Sequence, residues 1–160
     1  MISDERPSLY AVNLKESVRS ALQLVRMSCP DKQVTVREDF LQILPVDVLA
    51  DDLLNEVFAN IFSNSVRYTE GIEVEIEIEI KEDKKGMWAI SISDKGRGVV
   101  EEMKTRLFSR YLESAKGSGL GMSIVHALVV ERYKGKIEVK SRVAIDYTKG
   151  TTVEITLPKA

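Results

Sequence analysis

The feature that most constrains the fold is a strict alternation of apolar and acidic residues in the middle of the chain. The apolar members are Ile72, Val74, Ile76, Ile78 and Ile80, and Glu73, Glu75, Glu77 and Glu79 lie between them. Successive side chains of a strand point to opposite faces, so residues 71–81 are predicted to form a strand with one apolar and one hydrated face. A sheet of such strands is covered by helices on one side only, because its other side stays in water.

The segments around this strand predict an α/β two-layer sandwich of the α+β type. After a turn at residues 83–86, the apolar members of the next strand share one parity, which Asp94 continues, so the Asp94 carboxylate is predicted to point towards the core. Further strands are predicted over residues 9–12, 33–37, around 42–44, 136–141 and 151–157, and helices over residues 14–27, 50–68 and 120–132, with Asn13 as the first N-cap. We expect a mixed, mostly antiparallel sheet covered on one face by about three helices.

Composition narrows the class of protein. The 160 residues suffice for one domain with a real core, so residues 1–8 are interpreted as a tether or the end of a preceding segment and residues 9–160 as the domain. A net charge of -2 gives no support for nucleic-acid binding. Cys29 is alone and cannot form an internal disulfide, and the apolar run of residues 120–130 is too short and too interrupted to cross a membrane. These features predict a cytoplasmic domain without membrane contact by this segment.

A pair of asparagines lies one turn apart in the second predicted helix. Asparagine is a poor helix former, so Asn60 and Asn64 beside a buried face call for a reason. An amide oxygen can bind Mg²⁺, a nearby Arg67 can neutralise phosphate, and Tyr68 can stack on a base. The hypothesis is a magnesium nucleotide site, and the alternative is a pair of satisfied, partly buried amides.

The segment DKGRG, residues 94–98, leaves the strand that ends at Asp94. Its glycines, Gly96 and Gly98, permit backbone conformations and close approaches that other residues forbid. A carboxylate on the floor of a pocket accepts a hydrogen bond from an exocyclic amine such as that of adenine. The alternatives are a hairpin end or a calcium-type loop.

A second glycine-rich segment, GSGLG, opens the third predicted helix with Gly117, Gly119 and Gly121. Free backbone N–H groups at a helix start can hold a phosphate, and the preceding Lys116 could reach a terminal phosphate. A dinucleotide fingerprint is the poorer alternative because the third glycine comes too early, and a plain glycine cap is the other.

The asparagine pair, the DKGRG segment and the GSGLG segment follow one another along the chain. In this order they resemble the Bergerat-type ATP-binding domain of gyrase B, MutL, heat-shock chaperone ATPases and two-component histidine kinases. The similarity is greatest to the histidine kinase catalytic domain. ANIFSNSVRYT is similar to its N box, DKGRG to its first glycine box and GSGLGMSIV to its second; FSRY from Phe108 to Tyr111 resembles its F box, and KGTTVEITLP its closing strand. The resemblance runs from about Leu9 to Pro158.

This resemblance implies ATP and Mg²⁺ as cofactors and a role for each matching residue. Asn64 would bind the metal ion, Arg67 would contact phosphate, and Asp94 would bind the adenine amine. The remaining ATP-binding candidates are Asn60, Tyr68, Gly96, Gly98, Phe108, Lys116, Gly117, Gly119, Leu120, Gly121 and Thr151. The three glycines of the second box would hinge a short lid over the phosphates, at about residues 111–118.

Asn60 is the predicted catalytic position because it separates the subfamilies. In the gyrase and chaperone branches a glutamate occupies this position and activates water, whereas an amide cannot act as a general base. Glu56 lies a further turn away and does not replace it by register. The resemblance therefore favours phosphoryl transfer to a protein nucleophile over hydrolysis.

The phosphoacceptor of such a kinase is a histidine on a separate helical dimerisation domain. His126, the only histidine here, does not match the acceptor's context and is interpreted as a helix-surface or core-edge side chain. The expected partners are that domain, in the same longer chain or in trans, and indirectly a response regulator; the position of the chain's end favours excision from a longer kinase. The alternatives are a stand-alone ATPase, an anti-sigma-type serine kinase and a non-catalytic nucleotide-binding module.

Overall fold

The computed structural model describes residues 8–38, 45–84, 86–104 and 121–160. The strands are β1 Tyr10–Asn13, β2 Gln33–Glu38, β3 Asp47–Ala50, β4 Glu73–Glu82, β5 Met87–Asp94, β6 Lys136–Val143 and β7 Asp146–Pro158. The helices are α1 Leu14–Ser28, α2 Leu54–Arg67, α3 Glu101–Lys104 and α4 Gly121–His126, which continues into a π-helical segment, Ala127–Arg132.

Five strands form one mixed sheet in the order β2-β4-β5-β7-β6. Only β2 and β4 run parallel, and the other three pairings are antiparallel. On β4 the apolar residues from Val74 to Ile80 are buried and the glutamates between them are exposed, as the alternation predicts. Ile72 is the exception, because the strand begins at Glu73 and leaves the Ile72 side chain 63% exposed. The predicted two-layer sandwich with a mixed, mostly antiparallel sheet is confirmed.

The two long helices share one core with the apolar face of the sheet. Asn13 caps α1 as predicted, since its side-chain oxygen accepts a hydrogen bond from the Glu16 backbone nitrogen at 3.1 Å. In α2, the rings of Phe58 and Phe62 are stacked with their centroids 6.3 Å apart, and both are fully buried. Helix α2 therefore has a fixed core face, and its edge carries Asn60 and Asn64.

Helix α2 begins at Leu54, later than the start of the helix predicted over residues 50–68. Residues Asp47–Ala50 form a strand, β3, which pairs antiparallel with β1 in a separate two-stranded sheet. Val48 and Ala50 are buried while Asp47 and Leu49 are exposed, and this period of two excludes a helix there. Helix α2 consequently begins at Leu54, and the strand predicted around residues 42–44 lies outside the described residues.

The sequence predicts one regular helix over residues 120–132, but the structure divides this segment into an α-helical and a π-helical part. After α4 the backbone widens into a π-helix, in which the Tyr133 nitrogen donates to the Leu128 carbonyl at 2.9 Å. The buried residues Val125, Val129 and Tyr133 are four apart. Four residues are slightly more than one α-helical turn and slightly less than one π-helical turn, so the set stays on the core face where one geometry follows the other.

The last hairpin is longer than predicted because β7 begins at Asp146 instead of Thr151. Gly150 lies where β7 passes the end of β5, with a φ of 114°. A Cβ on Gly150 would stand 2.0 Å from the Asp94 carbonyl oxygen, so only glycine allows this approach. Within the described part of the chain, no helix is long and apolar enough to span a membrane.

A matched pair of glycine substitutions tests this close approach. Gly86 also has a positive φ, 83°, but a Cβ there would meet no described atom within 4 Å. Gly86→Ala should lower the free energy of unfolding by about 1–2 kcal/mol, and Gly150→Ala by roughly 3 kcal/mol or more because β5 and β7 must also separate. Urea unfolding measures both, and equal losses would contradict the predicted contact.

Candidate functional site

Asp94 lies at the end of β5 with its side chain on the core side, as its parity predicts. The residue is 7% exposed. Its Oδ1 atom accepts hydrogen bonds from the Gly96 nitrogen at 2.9 Å and the Thr151 nitrogen at 3.3 Å. Because both backbone bonds use Oδ1, the geometry fixes the carboxylate between the glycine turn and β7.

Burial raises the pKa of the Asp94 carboxyl above its ordinary value. Hydrogen bonds from the Gly96 nitrogen, the Ser65 hydroxyl and the Thr151 nitrogen oppose this shift, as does the positive charge of Arg142. Burial dominates, so the charged form is held at a cost by a small set of donors. Such a carboxylate gains from one more donor, and an exocyclic amine would supply it.

The DKGRG turn packs directly on the end of α2. A Cβ on Gly96 would lie 2.6 Å from the Tyr68 carbonyl oxygen, which accepts a hydrogen bond from the Arg97 nitrogen at 2.9 Å. The guanidinium of Arg97 stands 5.0 Å from the centre of the Tyr68 ring. The structure therefore brings Tyr68 and Asp94 together, but Arg97 already covers one face of the ring that was predicted to stack on a base.

Gly98 is in contact with the last hairpin. Its φ is 80°, and a Cβ would stand 1.7 Å from the Tyr147 carbonyl oxygen. Both glycines of the turn thus permit close backbone approaches, as the sequence predicts. One joins the turn to α2, and the other joins it to the start of β7.

The asparagine pair meets the first residue of α4. A Cβ on Gly121 would lie 3.2 Å from Asn60 Oδ1 and 4.0 Å from Asn64 Oδ1. The Asn60 Nδ2 atom donates to the Glu56 carbonyl of its own helix at 2.7 Å, which directs Oδ1 towards Gly121. Both amides are half-buried, and the second glycine segment approaches them at its last glycine.

The structure describes only some of the other predicted site residues. Arg67 is exposed in the last turn of α2, and Thr151 is buried on β7 beside Asp94. Phe108, Lys116, Gly117, Gly119 and Leu120 lie outside the described residues, as does the segment predicted to form the lid.

Sequence reasoning missed Ser65 as a member of this site. Ser65 is 3% exposed, and its hydroxyl donates a hydrogen bond to the Ile61 carbonyl oxygen at 3.3 Å. The same hydroxyl also interacts with the Asp94 carboxyl and lowers its pKa. The available signal was helical register, because Ser65 follows Phe58 and Ile61 on the core face of α2.

An interior carboxylate beside a glycine turn, an amide pair on the neighbouring helix and a glycine at the start of the next helix together define a Bergerat-type ATP-binding domain. Residues 50–160 match the histidine kinase-, DNA gyrase B- and HSP90-like ATPase family, and the chain belongs to this family.

Relatives and solved structures agree on the branch of the family. The chain is 28% identical to the sensor histidine kinase ZraS of Salmonella typhi over 135 residues, which cover 84% of the chain and 29% of ZraS. Its fold is similar to the catalytic domain of the histidine kinase ThkA, with a TM-score of 0.77 and 25% identity over 96% of this chain and 99% of that one. It is also similar to full-length ShkA in complex with AMPPNP, with a TM-score of 0.78 and 24% identity over 99% and 32% of the two chains.

The chain therefore contains the ATP-binding catalytic domain of a histidine kinase. It spans less than a third of the length of ZraS and of the next curated relatives that it matches.

Removal of the Ser65 hydroxyl tests how the Asp94 carboxylate is held. In Ser65→Ala the pKa of Asp94 should rise further, because one donor that favours the charged form is lost while burial remains. Since the folded state binds this proton more tightly than the unfolded chain, the free energy of unfolding falls as the pH rises through the raised pKa, and in the variant this fall should extend to a higher pH.

Carbon NMR titration of the Asp94 carboxyl measures the shift directly. Ser63→Ala is the matched control, because Ser63 is exposed on the same helix. An Asp94 pKa that is the same in Ser65→Ala and in the unsubstituted protein would contradict the assignment.

Proposed function

We propose that residues 9–160 bind magnesium–ATP and transfer its γ-phosphoryl group to a histidine on a separate dimerisation domain. The single observation that carries the proposal is the placement of the Asn60 amide. Its amide is tied to the Glu56 carbonyl and faces Gly121, at the position where a water-activating carboxylate would otherwise stand. An amide cannot remove a proton from water at neutral pH, so the site suits transfer to a nucleophile supplied by another domain.

The proposed nucleotide position follows from the two ends of the site. The Asp94 carboxylate would accept a hydrogen bond from the adenine amine, beside Gly96, Gly98 and Thr151. Arg67 and Lys116 would neutralise phosphate, and Tyr68 and Phe108 would border the base. Gly117, Gly119 and Gly121 would hinge the lid over the phosphates, and Leu120 would contact the nucleotide.

The residues present fit a magnesium ion. Mg²⁺ prefers oxygen ligands, keeps several waters and relies on substrate phosphates, so one protein oxygen suffices. The Asn64 Oδ1 atom is a half-buried oxygen at the edge of α2, near the start of α4. Asn64 would hold the ion, which would neutralise charge on the phosphates.

The proposed partners come from the same branch of the family. ThkA has been solved in complex with the response regulator protein TrrA. For this chain we propose a histidine-containing dimerisation domain as the direct partner, in the same longer chain or in trans, and a response regulator as the indirect one. We also propose a cytoplasmic location, with residues 1–8 as a tether.

A phosphotransfer assay tests the reaction. The protein is incubated with magnesium–ATP, labelled on the γ-phosphate, and with the dimerisation domain. Acid-labile phosphohistidine is the expected product. Acid-stable phosphoserine, or steady phosphate release without the partner, would instead indicate the serine kinase or ATPase alternative, and nucleotide binding without any transfer or release would favour the non-catalytic one.

Asp94→Asn tests the adenine contact. The asparagine Oδ1 can still accept from Gly96 and Thr151, while its NH₂ group replaces the second carboxylate oxygen. Loss of the charge-assisted bond should weaken binding of a non-hydrolysable ATP analogue by about tenfold or more. Calorimetric titration checks this, with the corresponding GTP analogue as the control ligand, whose weak binding should not decrease. Unchanged ATP-analogue affinity would rule out the proposed contact.

Asn64→Ala tests the metal ligand. The affinity gained on addition of Mg²⁺ should fall by roughly tenfold, because the amide oxygen is lost. Affinity without Mg²⁺ should stay close to that of the unsubstituted protein, and Ser63→Ala, one residue earlier and exposed, should behave like it. The same magnesium dependence in Asn64→Ala and Ser63→Ala would remove Asn64 from the metal site.

A further inference from the structure

Asp51 is a buried carboxylate that joins the two helices of the candidate site at their far ends. The residue is 8% exposed and precedes α2. Its Oδ1 atom accepts hydrogen bonds from the Leu53 nitrogen at 3.1 Å and the Tyr133 hydroxyl at 2.5 Å. Its Oδ2 atom accepts two bonds from the Arg132 guanidinium, from Nε at 2.7 Å and from the second nitrogen at 2.6 Å.

The ionisation of these groups matches the geometry. Burial by itself would raise the pKa of Asp51, but the hydrogen bonds from Tyr133 and Arg132 outweigh it and hold the pKa below its ordinary value. Burial and the neighbouring carboxylate raise the pKa of Tyr133, so its hydroxyl keeps its proton and donates it. We refer to Asp51, Arg132 and Tyr133 as the helix latch.

The latch lies at one end of an antiparallel helix pair, and the contact of the two asparagines with Gly121 lies further along the same pair. Asp51 precedes α2 and holds the residues at the end of the π-helical segment, whereas Asn60 and Asn64 further along α2 face Gly121 at the start of α4. Asn64 is about 15 Å along the helix from Leu54 at 1.5 Å per residue. Both helices are hydrogen-bonded along their length, so a shift at one end moves the other.

At Gly121 itself, the contact at the site end is made by backbone, because glycine has no side chain. Gly121 offers only backbone, and the amide oxygens of Asn60 and Asn64 lie 3.2 Å and 4.0 Å from the position of its absent Cβ. The Asp94 end of the site depends on β5 and β7 instead, because its donors are the nitrogens of Gly96 and Thr151.

We propose that Asp51 is a positioning residue for the phosphate half of the nucleotide: through Arg132 and Tyr133, it sets the register of α4 on α2 and so the distance between the Gly121 backbone and the two asparagines. The proposal rests on the function proposed above. Its chemical consequence is selective, since loss of the latch displaces the groups around the phosphates and leaves the adenine contact at Asp94 in place.

The test compares two ligands that share adenine and differ in phosphate. Tyr133→Phe removes one bond of the latch and leaves Arg132 and the Leu53 nitrogen on Asp51, so the carboxylate is not left unpaired. Asp51→Asn removes the charge and keeps an acceptor oxygen. Both variants should bind a non-hydrolysable ATP analogue with magnesium roughly tenfold more weakly and bind adenosine as the unsubstituted protein does.

The chain supplies a matched control. The Tyr10 hydroxyl donates to Asp52 Oδ1 at 2.5 Å, which is the same type of bond at the neighbouring aspartate but on the exposed side. Tyr10→Phe should leave the affinity for both ligands unchanged. Thermal unfolding of every variant sets a titration temperature at which all are folded, so a loss of stability alone does not change either affinity.

The outcomes separate the two proposals. Loss of the analogue alone in both latch variants supports the positioning role, and the double variant should then lose less than the product of the two single losses, because both act through one network. Equal loss of adenosine and analogue, or no loss of either, overturns the positioning role while the function stands. No binding of the analogue by the unsubstituted protein overturns both.

Discussion

The structure depends on one buried carboxylate, Asp94, at the point where the sheet meets helix α2. Its Oδ1 atom joins β5 to the glycine turn through Gly96 and to β7 through Thr151. The Ser65 hydroxyl of α2 also lowers the pKa of this carboxyl. A buried charge is stable only when hydrogen bonds replace its water, so these elements are drawn together around it. The carboxylate that is proposed to contact adenine therefore also holds β5, the glycine turn and β7 together.

Glycines provide the space for the close backbone contacts around Asp94. Gly96 admits the Tyr68 carbonyl, Gly98 admits the Tyr147 carbonyl and Gly150 admits the Asp94 carbonyl. Each is a contact of backbone on backbone, which a Cβ would prevent. The two ends of the candidate site are thus built differently: the Asp94 end is held by the sheet, and the end at Asn60 and Asn64 is held by the packing of two helices that Asp51 ties together.

Several elements follow directly from sequence patterns. The alternation around Ile76 predicts a strand with one hydrated face, and strand parity predicts that Asp94 points inward. Strand β3 was missed because four residues carry too short a period to compete with the helical pattern that follows. The π-helix was missed because the spacing of Val125, Val129 and Tyr133 fits a regular helix nearly as well. The nucleotide-binding roles of Asp94, Asn60, Asn64 and Arg67 stay predictions, as do those of the other candidate site residues.

By itself, the sequence determined the class of this protein: alternation specifies the layers, and three short motifs in a fixed order specify an ATP-binding catalytic domain. These signals are local, so they can be read without knowing what packs on what. Only the tertiary structure decided that Ser65 belongs with Asp94 and that Asp51 reaches Arg132 and Tyr133. The last of these pairs is separated by 82 residues. Such contacts depend on how helices and strands pack across the core, and no local pattern records that packing.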